Sequence, residues 1–152
     1  MEARMTQPAV LLPDAMQALQ SLHKATVATG LTTTMQELVH LRASQINGCS
    51  VCVDMHSKAL KSAGEADERI FGVGAWREMP YYTESERAAL ALTEALTRLA
   101  DQADPVPDEL WAEVTKHFDE EQLAGLLLDI AAINVWNRLN AATRQVAGAW
   151  AG

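Results

Sequence analysis

Apolar residues recur along the chain at three- and four-residue intervals, and no run of alternating β-branched residues interrupts them. That period belongs to helices buried along one stripe, and it predicts an all-α fold, a bundle of six or seven helices. Asp14 and Gln17, just after Pro13, have the spacing of a capping box opening a helix that ends near Gly30. Thr34 and Glu37 have the same spacing, and open a helix with Leu38, Leu41, Ala43 and Ile46 on one face. Asn47-Gly48 stops it, because both residues tolerate positive φ. Cys49 then falls at or near the start of the next helix, which runs to about residue 62 and ends at Gly64. A shorter helix is predicted over 66–76. A third capping box, Thr83 with Glu86, opens a helix to about residue 100. After the loop Asp104-Pro105-Val106-Pro107, a helix is predicted over 108–118. Asp119 and Gln122 cap the last one, over about 120–145. Its middle, 123–133, is apolar nearly all round, which predicts burial at the centre of the bundle or between subunits. Residues 146–152 read as a tail. No linker divides the chain, so 1–152 is expected to form one domain, with its chemistry carried by about 31–100.

Charge narrows the possible partners. The 152 residues carry 20 acidic and 12 basic side chains, a formal net charge of −8. Phosphate backbones and anionic membranes call for clustered Lys and Arg, so neither nucleic acid nor a membrane surface is an expected partner. No apolar run reaches the ~20 residues of a membrane span. The first residues hold no apolar signal core, so a cytoplasmic location is expected. The chain has two cysteines, Cys49 and Cys52. A single close pair suits redox chemistry or metal binding better than a structural disulfide framework.

The segment from Glu37 to His56 carries the candidate chemistry. Cys49, Cys52 and His56 stand at i, i+3 and i+7 of one helix and so share a face. A helix N-terminus stabilises a thiolate, and an imidazole one turn away can take the thiol proton. A two-residue gap lets the pair cycle between dithiol and disulfide. Which sulfur attacks stays open on these grounds: the helix dipole favours Cys49, and the i+4 imidazole favours Cys52. Glu37 has two readings, a capping-box glutamate and a carboxylate that orients His56.

Glu37, Cys49-Ser50-Val51-Cys52 and His56 together resemble the signature of the alkylhydroperoxidase D-like proteins of the carboxymuconolactone decarboxylase family. The lead-in from Leu41 to Gly48, and the segments 75–78, 86–91 and 134–140, resemble the same group. The resemblance covers about 31–140. It implies an all-helical fold, a homo-oligomer (trimer or hexamer), and thiol-dependent reduction of organic hydroperoxides. It also implies that Cys52 is peroxidatic, that Cys49 resolves, and that His56 and Glu37 relay protons. A dithiol donor, thioredoxin-like or lipoyl-bearing, would reduce the resulting disulfide. No bound cofactor or metal is implied. One departure stands out: Val51 occupies the place of a histidine found between the cysteines in the best-studied branch.

Other readings compete. A lactone decarboxylase, the family's other activity, does not need two cysteines. A non-peroxidatic thiol–disulfide module or redox sensor would use the pair without peroxide. A purely structural helical oligomer would use neither cysteine. Zinc held by Cys49, Cys52 and His56, with His23, His40 or His117 as fourth ligand, is set back because the helical motif is unlike a two-knuckle ribbon. His23, His40 and His117 otherwise read as ordinary surface or core residues. Arg138, in an otherwise apolar helix, reads as pairing with a carboxylate in the oligomer or lining a pocket.

Overall fold

The computed structural model describes residues 1–149, all helical and irregular, with no strand among them. Its α-helices are α1 (Pro8–Leu11), α2 (Pro13–Val27), α3 (Thr33–Asn47), α4 (Ser50–Ser62), α5 (Asp67–Gly72), α6 (Glu84–Thr97), α7 (Asp108–Val114) and α8 (Glu120–Thr143). The seven helices expected from periodicity are present, and α1 is the eighth. α1 is a single turn that escapes any periodicity test. Gln7 caps it, its side chain accepting from the backbone of Ala9 and Val10.

The helix boundaries follow from local chemistry. Thr83 and Asp119 cap α6 and α8 with reciprocal capping boxes, as the sequence predicts. The other two predicted boxes do not form. α2 starts at Pro13, whose ring sets φ and whose missing N–H costs nothing there, and Asp14 lies inside the first turn. α3 is capped by Thr32, whose hydroxyl accepts from the Met35 N–H at 3.2 Å. Thr34 is therefore inside the helix, and Glu37 is beyond the cap and free for another partner. The helix predicted over 66–76 is α5 followed by a 3-10 stretch, Val73–Glu78, bent at Ala75. The one predicted over 108–118 ends at Val114. Of the predicted tail, residues 150–152 lie outside the described residues.

The most connected helix is α3, although the sequence placed the apolar middle of α8 at the bundle centre or between subunits. α3 packs against α4, α6 and α8, and α2 lies on α8. One side of α3 joins Leu31, Met35 and Val39 to Ala89, Leu92, Leu126 and Ile130. Another joins Leu38 and Leu41 to Leu60, Val73, Trp76 and Leu90. Between these stripes α3 also buries Gln36, His40 and Ser44. A buried polar group is costly unless paired, and each of these meets a partner: Thr26, Asp129 and Asn137 respectively. Pattern reading scores such residues as solvent-facing and so underrates α3. α8 buries Leu123, Leu126, Ile130 and Ile133 but leaves Leu128 exposed in the single chain.

Candidate active site

Two helix ends meet at the site. Gly48 adopts φ 65°, a left-handed conformation that suits glycine, and turns the chain between α3 and α4. The turn makes Cys49 the N-cap of α4, with its sulfur 3.4 Å from the Cys52 N–H. One turn on, the Cys52 sulfur lies 2.6 Å from that of Cys49. Both cysteines are free and buried, packed with Ala43, Val51 and Ile133.

Three asparagines of α8, one turn apart, organise this pocket. Asn140 Nδ2 reaches the Cys52 sulfur at 3.3 Å and the Cys49 sulfur at 3.8 Å. Asn137 donates to Ser44 at 3.0 Å and accepts from Asn47 at 2.9 Å. Asn134 accepts from the same Asn47 amide at 3.0 Å. The three residues clamp the end of α3 and offer an amide to the sulfurs. Arg138, on the same helix, donates to the Asn134 carbonyl and side chain at 3.0 and 3.1 Å, and has no carboxylate partner among the described residues.

The sulfurs differ electrostatically. Cys49 is lowered to about 6, first by the hydrogen bond from the Cys52 thiol, and further by the Cys52 N–H and the asparagine amides, against the cost of burial. Cys52 is pushed up, because its proton is held between the two sulfurs and because it is buried. In the reduced pair a thiolate is thus favoured at Cys49 and disfavoured at Cys52.

His56 and Glu37 come together as expected. The neutral imidazole can donate from Nδ1 to Glu37 Oε2, 2.7 Å away, so Glu37 orients His56 and caps nothing. Burial lowers the His56 pKa, and the Glu37 carboxylate opposes that only in part. His56 is therefore neutral at pH 7, as a proton acceptor must be.

The structure places at the site residues that sequence reading left as ordinary surface or core positions or, at most, as a fourth zinc ligand. His40, one turn after Glu37, is buried with its ring 4.7 Å from that of His56. Its Nε2 lies 2.9 Å from Asp129 Oδ2 on α8. His23 stands behind it, ring centroids 6.3 Å apart, and His117 pairs with Glu113 away from the site. The polar spacing of Asn134, Asn137 and Asn140, and the lone Asp129 within an apolar run, were the available signals.

Two cavities border the dithiol. One, of about 450 Å³, is lined by Cys52, Glu37 and His56 together with Met16, Leu19 and Trp136. The other, of about 490 Å³, is lined by Cys49, Gly48, Asn140 and Arg144 and reaches Glu2. Cys52 thus shares a largely apolar chamber with the imidazole, and Cys49 lines the other cavity.

The model of the carboxymuconolactone decarboxylase family matches residues 13–95. The uncharacterised protein YdfG of Bacillus subtilis (strain 168) is 39% identical over 132 residues, covering 87% of this chain and 88% of that one. The uncharacterised protein YnjA of Escherichia coli (strain K12) is 30% identical over 112 residues, covering 74% of this chain and 60% of its own length. Among solved structures, ATU0492 from Agrobacterium tumefaciens superposes with a TM-score of 0.88 at 36% identity, covering 96% of this chain and 98% of that one. It is a protein of unknown function described as a candidate antioxidant defence protein AhpD. The debrominase Bmp8, in complex with 2,3,4-tribromopyrrole, shares the fold with a TM-score of 0.79 at 23% identity, covering 91% of this chain and 73% of its own.

Proposed function

Because the chain belongs to the carboxymuconolactone decarboxylase family, we propose that it is a thiol-dependent peroxidase reducing organic hydroperoxides through Cys49 and Cys52. The observation that carries this reading is the Glu37–His56 bond of 2.7 Å set in the chamber that Cys52 lines. A dithiol at a helix N-terminus accounts for redox chemistry alone; an oriented neutral imidazole beside one of the two sulfurs supports proton transfer to and from a bound small molecule.

The cycle begins with the shared proton. It passes from Cys52 to Cys49 across the 2.6 Å sulfur contact, leaving the thiolate on Cys52. Cys52 attacks the terminal, hydrogen-bearing oxygen of the hydroperoxide, the O–O bond breaks with its electron pair leaving on the alkyl-bearing oxygen, and Cys52 becomes a sulfenic acid. The alkoxide released takes up one proton from solvent, passed on by His56, which Glu37 holds in one tautomer. Cys49 then attacks the sulfenic sulfur, forming the disulfide and releasing water. A dithiol donor, thioredoxin-like or lipoyl-bearing, returns the pair to the reduced state. Val51 supplies no proton carrier, so His56 and Glu37 serve the chamber alone or through water. The apolar wall of Met16, Leu19, Ile133 and Trp136 suits an organic peroxide and favours an enzyme over a module that exchanges thiols only with proteins.

Assembly as a homo-oligomer, trimer or hexamer, belongs to the same proposal, as does a cytoplasmic setting that keeps the pair reduced. Among the described residues no helix is long and apolar enough to cross a membrane. The deciding experiment is consumption of cumene hydroperoxide with dithiothreitol as donor, joined to dimedone trapping in Cys49→Ser. A dimedone adduct on Cys52 is expected. Peroxide that oxidises neither cysteine would sink the reading.

A further inference from the structure

The chamber contains a group of side chains that the peroxidase cycle uses only in part. Glu37 and His40 stand three residues apart on α3, the Glu-x-x-His spacing that puts a carboxylate and an imidazole on one inward face of a helical bundle. His56 approaches from α4. One ligand atom from each of the three lies within 4.8 Å of the others. A tetrahedral ion with bonds of about 2.0–2.1 Å holds its ligand atoms about 3.4 Å apart.

We propose that Glu37, His40 and His56 form a binding site for a divalent transition-metal ion of the zinc class. Three further observations carry the assignment. First, His40 is 6% exposed, and its Nδ1 has no hydrogen-bond partner. An unpaired buried ring nitrogen is costly unless something occupies it. Second, the other nitrogen of the same ring faces the Asp129 carboxylate at 2.9 Å. A histidine that ligates a metal commonly presents its second nitrogen to a carboxylate, which fixes the ring and raises its basicity. Third, the chamber wall includes two carboxylates, Glu37 and Asp129, and no Lys or Arg among the described residues. A divalent cation neutralises that charge, and neutral imidazoles are the form that binds it. Two imidazoles and one carboxylate match known zinc sites that keep a fourth position for water, and here the cavity supplies the space.

The site is distinct from a thiolate site on Cys49 and Cys52, and it does not rest on the peroxidase reading. The two are mutually exclusive in use: the ion takes the place of the proton between Glu37 and His56, so an occupied site has no free imidazole for the cycle.

The test uses the full chain carrying Cys49→Ser and Cys52→Ser, which removes sulfur ligands, titrated with Zn²⁺ against a chromogenic chelator. One ion per chain is expected, with micromolar or tighter affinity. Adding His56→Gln or Glu37→Gln should weaken binding at least about tenfold, and Asp129→Asn, acting through His40, about tenfold as well. His40→Gln should do as much as His56→Gln; because His40 is buried, circular dichroism checks its fold, and the two cavity-edge variants carry the test if it fails to fold. Absence of binding in the cysteine-free chain overturns the proposal, as does binding that His56→Gln and Glu37→Gln leave unchanged. Peroxide consumption by the metal-free wild type is read separately, so failure of one proposal is not failure of the other.

Discussion

Cys49 and Cys52 sit one helical turn apart, yet they hold opposite electrostatic positions. The Cys52 thiol, the Cys52 N–H and the asparagine amides lower the Cys49 thiol, while the same contact and burial raise Cys52. Thiolate absorbance near 240 nm in the reduced protein should therefore rise with pH about a midpoint near 6. Asn140→Ala removes a donor from both sulfurs and should move that midpoint upward. Cys52→Ser should abolish peroxide turnover, and Cys49→Ser should consume about one equivalent and stall, since nothing remains to resolve the sulfenic acid. Normal turnover by Cys49→Ser with a single burst from Cys52→Ser would reverse the roles. At Glu37 the structure separates two readings that sequence left level, because Thr32 and not Thr34 caps α3. Glu37→Gln should keep the melting temperature within a few degrees and lower the peroxidase rate at least tenfold, about 1.4 kcal/mol of barrier. Unchanged kinetics in Glu37→Gln would remove it from the relay.

At the scale of elements, helix ends and helix crossings decide stability. The capping box of α6 is intact, so Thr83→Ala should cost about 1 kcal/mol, read by chemical denaturation. Just past the end of α2, Thr29 lies against Gly125 of α8, where an added Cβ would clash with Thr29 Oγ1 and meet its Cγ2 at 2.8 Å and Cβ at 3.0 Å. Gly125→Ala should therefore destabilise by about 1–3 kcal/mol, although alanine is the better helix former. Glu94 on α6 ties three elements together: it accepts from Arg42 at 2.7 Å and from Trp76 and Arg77 at 2.9 Å. Burial alone would raise its pKa, but these donors outweigh burial and hold it below the usual carboxylate range. Glu86 behaves alike, with burial outweighed by Arg69 and the Thr83 cap.

For the whole molecule, these shifts set a direction with pH. A carboxylate with a depressed folded pKa stabilises the fold above its unfolded value of about 4.3, and that contribution is lost as pH falls through the folded value. His56, lowered by burial, acts in the same sense: its contribution is present above the ordinary 6.5 and is lost as pH falls. The melting temperature should thus drop from pH 7 towards pH 3, and Glu94→Gln should flatten the carboxylate part of that limb. A scan that rises towards acid would contradict these assignments. Leu128 is 47% exposed in the largely apolar middle of α8, where a subunit contact would cover it. Light scattering should give a multiple of the 16.5 kDa chain mass, and Leu128→Glu should reduce it without unfolding the monomer. A wild-type monomer would end the argument for subunit contacts.

The sequence by itself determined the helical class, the turn at Gly48, the caps at Thr83 and Asp119, and the placing of both cysteines and His56 on one helix. These are consequences of short-range chemistry: a side chain meets its own backbone, or a neighbour three or four residues away. The pairing of Glu37 with His56 was legible as one of two readings, and tertiary structure selected it. Which helix lies at the centre, the Asn134–Asn137–Asn140 clamp, the burial of His40 beside Asp129, and the division of the two cysteines between separate cavities were decided by tertiary structure alone. The clamp and the His40–Asp129 contact join residues about 90 positions apart, as Asn140 with Cys49 and His40 with Asp129 show. Periodicity reports whether a side chain is apolar, and a buried polar side chain differs from an exposed one only in having found its partner across the fold.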